Sequence, residues 1–283
     1  MYQLHVVLAT YPHDSDAFTQ GYTFFDGHIY EGTGLYGKSS LRKLDPENHS
    51  KSLQSFDIPE KYFGEGITHY KDGRGNDRIL QITWRERTAF VYDAHSIELL
   101  FAFKYHVESS NGEGWGVTHN PNQNEFVVSD GSEYLFFWDV SSLDECELNL
   151  ETSAKNDESS GPDDFKFCDV VVESKRQIKV HRYTSGTSAA IPIKYLNELE
   201  FIPRSTIDGT STYSIFANVW YQNYLLEICP ISGVVLKVYD LSRLCPEVIN
   251  GEVLNGISVS EESDHVLYVT GKLWSHAHKI RLI

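Results

Sequence analysis

One pattern of polar and apolar positions returns five times along the chain. The segments FTQGYTF, FGEGITH, EGWGVTH, YLNELEFI and VLNGISV each present a polar or aromatic residue, then in most cases Gly, then an apolar residue that opens an extended run. Aligned on that pattern, Gln20, Glu65, Trp115, Asn197 and Asn255 fall in one column. A second column follows at the end of the next predicted strand, where HIYEGTG, RILQITW, EFVVSDG, YSIFANVW and VLYVTGKLW set Thr33, Thr83, Ser129, Asn218 and Thr270 in register. A third extended run comes after each second anchor and a fourth precedes each first anchor, so every unit holds four short strands.

Five such units predict an all-β fold, a five-bladed β-propeller. The chain opens on a fourth-type run, QLHVVLA, and ends on a third-type run, HKIRLI. The N-terminal strand is therefore expected to pair in the last blade and close the ring, which removes exposed sheet edges. Residues 1–283 are expected to form a single propeller domain. The third interval between first anchors is the longest and carries an acidic stretch rich in Ser, Asp and Glu, expected to be a mobile loop excursion at about 144–175.

Composition agrees with strands: 17 Tyr, 15 Phe and 5 Trp stand against a single Met, a bias that suits pleated surfaces. The formal charge of −16 argues against nucleic acid, whose phosphates demand cations, and against an anionic membrane surface. No apolar run reaches the length of a membrane span, and the amino terminus lacks the zones of a signal peptide, so any targeting segment is expected to have been removed. Cys146, Cys168, Cys229 and Cys245 show no zinc-type spacing. Cys229 and Cys245 are expected at opposite ends of one hairpin, too far apart for a bond, while Cys146 and Cys168 either close a loop or remain free thiols.

In a propeller the first strand of each blade lines the central channel, so the first column should converge at one mouth. The loops after the second strands should bring Trp84, Asp130, Trp220, Lys272 and Trp274 to the same rim. One acid, one cation, amides and several tryptophans make a pocket for a small molecule or a chain end.

The stretches YPHDSDAFTQG, YEGTGLYGKSSLR, FGEGIT, GEGWGV, LNELEFI, NVW and VTGKLW, in this order, resemble the plant-type glutaminyl cyclases. That family is a five-bladed propeller unrelated to the zinc-dependent animal-type enzymes. The resemblance implies a glutaminyl-peptide cyclotransferase, which converts an N-terminal glutamine to pyroglutamate with release of ammonia. It implies Glu65 as proton shuttle, Lys272 as oxyanion stabiliser, Asn197 as holder of the amine or carboxamide, and Gln20 as a further hydrogen-bonding group. Phe18, Phe63, Trp84, Trp115 and Trp220 match positions that enclose the glutaminyl side chain. No metal or other cofactor is required by this scheme, which leaves room for a structural divalent ion in the central channel. The partners implied are peptides and proteins with N-terminal Gln, acted on by a monomer of the secretory route or a secreted one. Read without the family, Glu65 flanked by glycines is ordinarily a turn residue. Two other functions compete: a cation-dependent, lactonase-like hydrolase using Glu65, Asn197, Asn255 and Asp130 as oxygen ligands, and a propeller that only binds peptides.

Overall fold

The structure is a computed structural model and describes residues 3–106, 112–153, 165–183, 189–205, 211–246 and 251–283. Five antiparallel four-stranded units account for nearly all its regular structure. Blade 1 runs Thr19–Phe25, His28–Thr33, Ser40–Asp45 and Asn48–Asp57 from inside to outside. Blade 2 follows with Gly64–Lys71, Asp77–Thr83, Thr88–Asp93 and Leu99–Tyr105, and blade 3 with Val117–Asn120, Glu125–Ser129, Tyr134–Asp139 and Ser174–Lys179. Blade 4 is Leu196–Ser205, Ser211–Val219, Tyr224–Ile228 and Val235–Asp240. Blade 5 takes Leu254–Ser260, Ser263–Gly271 and His276–Leu282 from the end of the chain, and its outermost strand, His5–Pro12, from the beginning, antiparallel with His5 opposite Leu282 and Pro12 opposite His276. Each inner strand touches the next, and Leu254–Ser260 returns to Thr19–Phe25.

The glycines of the repeat permit that inner ring. A Cβ on Gly66 would lie 2.7 Å from the Val117 nitrogen and 2.8 Å from the Gly116 Cα, and Gly21 and Gly116 are pressed in the same way against the inner strands of blades 2 and 4. Only glycine lets backbones approach so closely. The fourth unit has Glu198 at this position. Its buried carboxylate accepts the Tyr22 N–H at 3.3 Å and the Ile257 N–H at 2.9 Å, joining blade 4 to blades 1 and 5.

The second column is structural. Thr83 donates to the Thr88 carbonyl and Thr270 to that of His276, bridging second and third strands, while the Ser129 hydroxyl donates to the Asn197 carbonyl at 2.6 Å and Asn218 Oδ1 accepts the Gly256 N–H at 3.1 Å. Between blades lie separate apolar clusters, such as Leu80, Phe103, Val117 and Trp138 between blades 2 and 3. Among the described residues no helix is long and apolar enough to cross a membrane.

The excursion differs from a loop where it is described. Ser141–Ser153 is a helix, with Leu143 and Cys146 buried in the cluster of blades 2 and 3 and Leu150 packed on it. Phe167–Val172 is a fifth strand on blade 2, parallel to Leu99–Tyr105. A disulfide between Cys146 and Cys168 ties helix to strand, whereas Cys229 and Cys245 are free thiols. The core of the acidic tract, 154–164, lies outside the described residues.

Candidate active site

A cavity of about 350 Å3 opens where the inner strands begin, lined by Phe18, Gln20, Phe63, Glu65, Trp84, Trp115, Asn197, Trp220, Tyr221, Gly251, Val253 and Lys272. Its volume lies at the lower end of the range for small-molecule sites. Glu65 is buried at the start of the blade 2 inner strand, and its Oε1 accepts the Gln20 Nε2 donor at 3.0 Å. Lys272 is also buried, its Nζ 4.6 Å from the Phe18 ring centroid, within cation–π reach. Backbone bonds fix both segments: the Lys272 N–H donates to the Val253 carbonyl, the Leu273 N–H to that of Ala17, and the Gly34 N–H to that of Phe18.

The walls are aromatic and hold one another. Phe63 meets Phe18 at 6.2 Å and Trp84 at 5.4 Å between ring centroids, and Trp115 meets Trp220 edge-on at 5.5 Å. Behind Trp115 stands Gly131, at φ +78°, whose Cβ position would be 2.6 Å from the indole. Both carboxylate oxygens of Glu113 are used on these walls, one by the Trp115 indole N–H at 3.0 Å and the other by Arg85, whose guanidinium stacks 3.7 Å from the Trp84 ring.

Burial works on both charged groups towards neutrality. It pushes the Glu65 carboxyl well above the usual carboxylate range; the Lys272 charge opposes this, while the charges of Glu113 and Glu86 add to it. Burial likewise lowers Lys272 to about 8 against the pull of Glu65. A carboxyl whose proton affinity is raised and an ammonium whose proton affinity is lowered, in one cavity, are suited to moving a proton.

Comparison with known proteins meets this geometry. A sequence profile of the family described as glutamine cyclotransferase matches residues 2–160 and 157–282. The chain is 30% identical over 283 residues to a glutaminyl-peptide cyclotransferase of Arabidopsis thaliana, covering 98% of this chain and 70% of the relative. The chain belongs to the glutamine cyclotransferase family. The crystal structure of Myxococcus xanthus glutaminyl cyclase matches its fold with a TM-score of 0.69 and 27% identity, over 99% of this chain and 97% of that one.

Within this family fold, the nine site residues expected from the sequence all line the cavity. Other expected neighbours do not. Asn255 shares the first column, but its amide donates to the Thr19 carbonyl at 2.9 Å and so ties blade 5 to blade 1. Asp130 is fully buried with Oδ1 on the Ser132 N–H, and Trp274 belongs to the core between blades 4 and 5. Three lining residues were missed: Tyr221, Gly251 and Val253. Val253 could have been found, because it stands two residues before Asn255, as Phe18 and Phe63 stand two before Gln20 and Glu65. In the same register Glu113 precedes Trp115 and Tyr195 precedes Asn197; these two do not line the cavity but support its walls, Glu113 by accepting from the Trp115 indole and Tyr195 by packing on Trp220.

Proposed function

We propose that this chain is a glutaminyl-peptide cyclotransferase whose chemistry is carried by Glu65. The reaction joins the α-amine of an N-terminal glutamine to its own δ-carboxamide carbon and breaks the bond to the amide nitrogen, which leaves as ammonia. The attacking amine must lose a proton and the leaving nitrogen must gain one. Glu65 takes the first and delivers the second, a role that suits a carboxyl whose proton affinity burial has raised well above the ordinary carboxylate range. Gln20, bonded to one carboxylate oxygen, keeps the other aimed at the substrate.

Asn197 Oδ1 is buried and has no hydrogen-bond partner among the described residues. An orphaned acceptor of this kind costs about 1–3 kcal/mol, and a substrate N–H removes that cost, so Asn197 holds the amine or the carboxamide. Lys272 stabilises the negative charge that grows on the carboxamide oxygen. Phe18, Phe63, Trp84, Trp115 and Trp220 exclude water and hold the flexible side chain in a folded, near-attack form. The observation that carries this reading is the buried pair of Glu65 and Lys272 enclosed by aromatic walls.

The chemistry requires no metal in this scheme. Among the described residues Glu65 is the only carboxylate lining the cavity, and the ammonium of Lys272 beside it disfavours a divalent cation. One assay tests the scheme: a Gln-initiated peptide is incubated with the protein, with and without a strong chelator, and the release of ammonia and the matching mass loss of the peptide are followed. Release that survives chelation in the wild type and falls at least a hundredfold in Glu65→Gln is expected. Activity lost to the chelator favours the cation-dependent hydrolase class, and no release at all favours a peptide-binding propeller.

A further inference from the structure

The mouth of the cavity is unevenly finished. On the side of blades 1 and 2 the rim groups already have partners: Tyr36, itself 51% exposed, donates its hydroxyl to Glu86 at 2.7 Å and packs on Phe63, and Arg85 covers Trp84. On the side of blade 4 they are open. Tyr195 and Tyr221 flank Trp220, with ring centroids 6.3 and 4.6 Å from it, and are 54% and 60% exposed. Neither hydroxyl bonds another of the described residues.

Their backbones make this exposure costly. Tyr195 has φ +65° and Tyr221 φ +60°, the left-handed region that bulky residues avoid. Tyr195 is held there by two bonds, its N–H donating to the Gly131 carbonyl and its carbonyl accepting the Trp220 N–H. Tyr221 stands third in the turn closed by the Gln222 N–H on the Val219 carbonyl, a place that glycine fills without strain. Folding gains little from either ring at these positions, and backbone strain of this kind gathers at ligand sites.

We propose that Tyr195 and Tyr221 form a subsite for the side chain of the residue that follows the N-terminal glutamine, and that this subsite favours an aromatic side chain there. The inference rests on the cyclotransferase reading and deepens it. With the glutaminyl side chain in the cavity, the next Cα lies only about 3.8 Å further along the chain, at the rim. Tyr221 belongs to both surfaces, lining the cavity and carrying the platform outwards. The blade 4 rim then offers the second residue ring faces to stack on, whereas the opposite rim offers groups already paired.

The test is a competition. Two amidated peptides, Gln-Phe-Gly and Gln-Gly-Gly, are mixed in equal amounts, and the ratio of their kcat/KM values is read by mass spectrometry of the two pyroglutamyl products. The wild type is expected to favour the phenylalanyl peptide about three- to tenfold, the scale of one aromatic contact. Tyr221→Gly and Tyr195→Gly each lower the ratio, and the double variant brings it close to one. Glycine suits both backbone positions, so these variants keep the fold, and the ratio cancels any change common to both substrates. A wild-type ratio near one, or a ratio unmoved in the double variant, overturns the subsite while leaving the cyclotransferase reading intact. Absence of turnover with either peptide in the wild type overturns both.

Discussion

In the proposed scheme Lys272 ties the pH dependence of the reaction to one side chain. The substrate amine has an ordinary pKa of about 7.7–8.0 and attacks only when neutral, so kcat/KM rises with pH up to that region. Lys272, lowered to about 8 by burial, can fill its proposed role at the oxyanion only while protonated, so the rate is expected to fall again above about 8. A narrow bell with its maximum close to pH 8 is expected. Lys272→Arg keeps the charge at every accessible pH; its rate is expected to be lower, and its alkaline decline to vanish up to about pH 10. An unchanged alkaline limb in that variant would assign the decline to another group. At this scale the site was legible because the repeat brings distant residues into register, which is how Gln20, Glu65, Trp115 and Asn197 were grouped. The register does not say which way each side chain turns, so Asn255 was grouped with them although it binds a neighbouring strand. Tyr221 sits in a turn outside both columns, and no spacing pointed to it.

The blade 4 inner strand departs from its sisters by carrying Glu198 and Glu200, two residues apart and so on one face. Glu200 Oε1 accepts the Val259 N–H at 2.9 Å and the Ser258 hydroxyl at 3.4 Å, stitching blade 4 to blade 5. Burial raises Glu200 to about 8, against those two bonds, and also raises Glu198 well above the usual carboxylate range. The sign follows from which state holds the proton. Between the ordinary glutamate value and about 8 the folded chain keeps a proton that the unfolded chain releases, so stability falls as pH rises through that window and levels off above it. Glu200→Gln imitates the protonated acid and retains the acceptor. The wild type is expected to lose stability from pH 5 to 8.5 on the order of 2 kcal/mol more than Glu200→Gln does, read from urea midpoints. Parallel losses in the two proteins would refute it. The strands themselves were readable from alternation and anchors. The helix Ser141–Ser153 was not, because its acidic composition resembles a solvated loop; the spacing of Leu143, Cys146 and Leu150 held the missed signal.

Across the whole molecule, the seam between blades 5 and 1 is built unlike the others. Its apolar cluster is small, with Tyr22, Ile29, Leu44 and Tyr268 buried and Tyr11 and Phe24 packed against them. A polar lock takes over. His13 donates its Nδ1–H to the Trp274 carbonyl, at 2.7 Å, and meets Glu31 through Nε2 at 2.9 Å. Glu31 also accepts from Thr19 and pairs with Arg42, which reaches Asp14. Burial disfavours charge on both His13 and Glu31, but their mutual attraction prevails, raising His13 and holding Glu31 down at about 2. Five repeats told that the units exist; this lock, made of residues outside the columns, could not be read from them. Residues 5–12 cover the outer edge of His276–Leu282 and bring Tyr11 onto His49, stacked at 4.6 Å. Deleting residues 1–12 therefore uncovers a strand edge and takes Tyr11 from the smallest inter-blade cluster at once. The truncated chain is expected to unfold at a lower urea concentration and to self-associate through the exposed edge, seen as a concentration-dependent rise in mass by light scattering. Point variant His13→Ala keeps the edge paired while leaving Glu31 with one charged partner fewer, a loss of about 3–5 kcal/mol for a buried pair. It should lower the midpoint without self-association. A truncated chain with no concentration-dependent rise in mass and with the wild-type midpoint would mean that the ring is held by its inner strands alone.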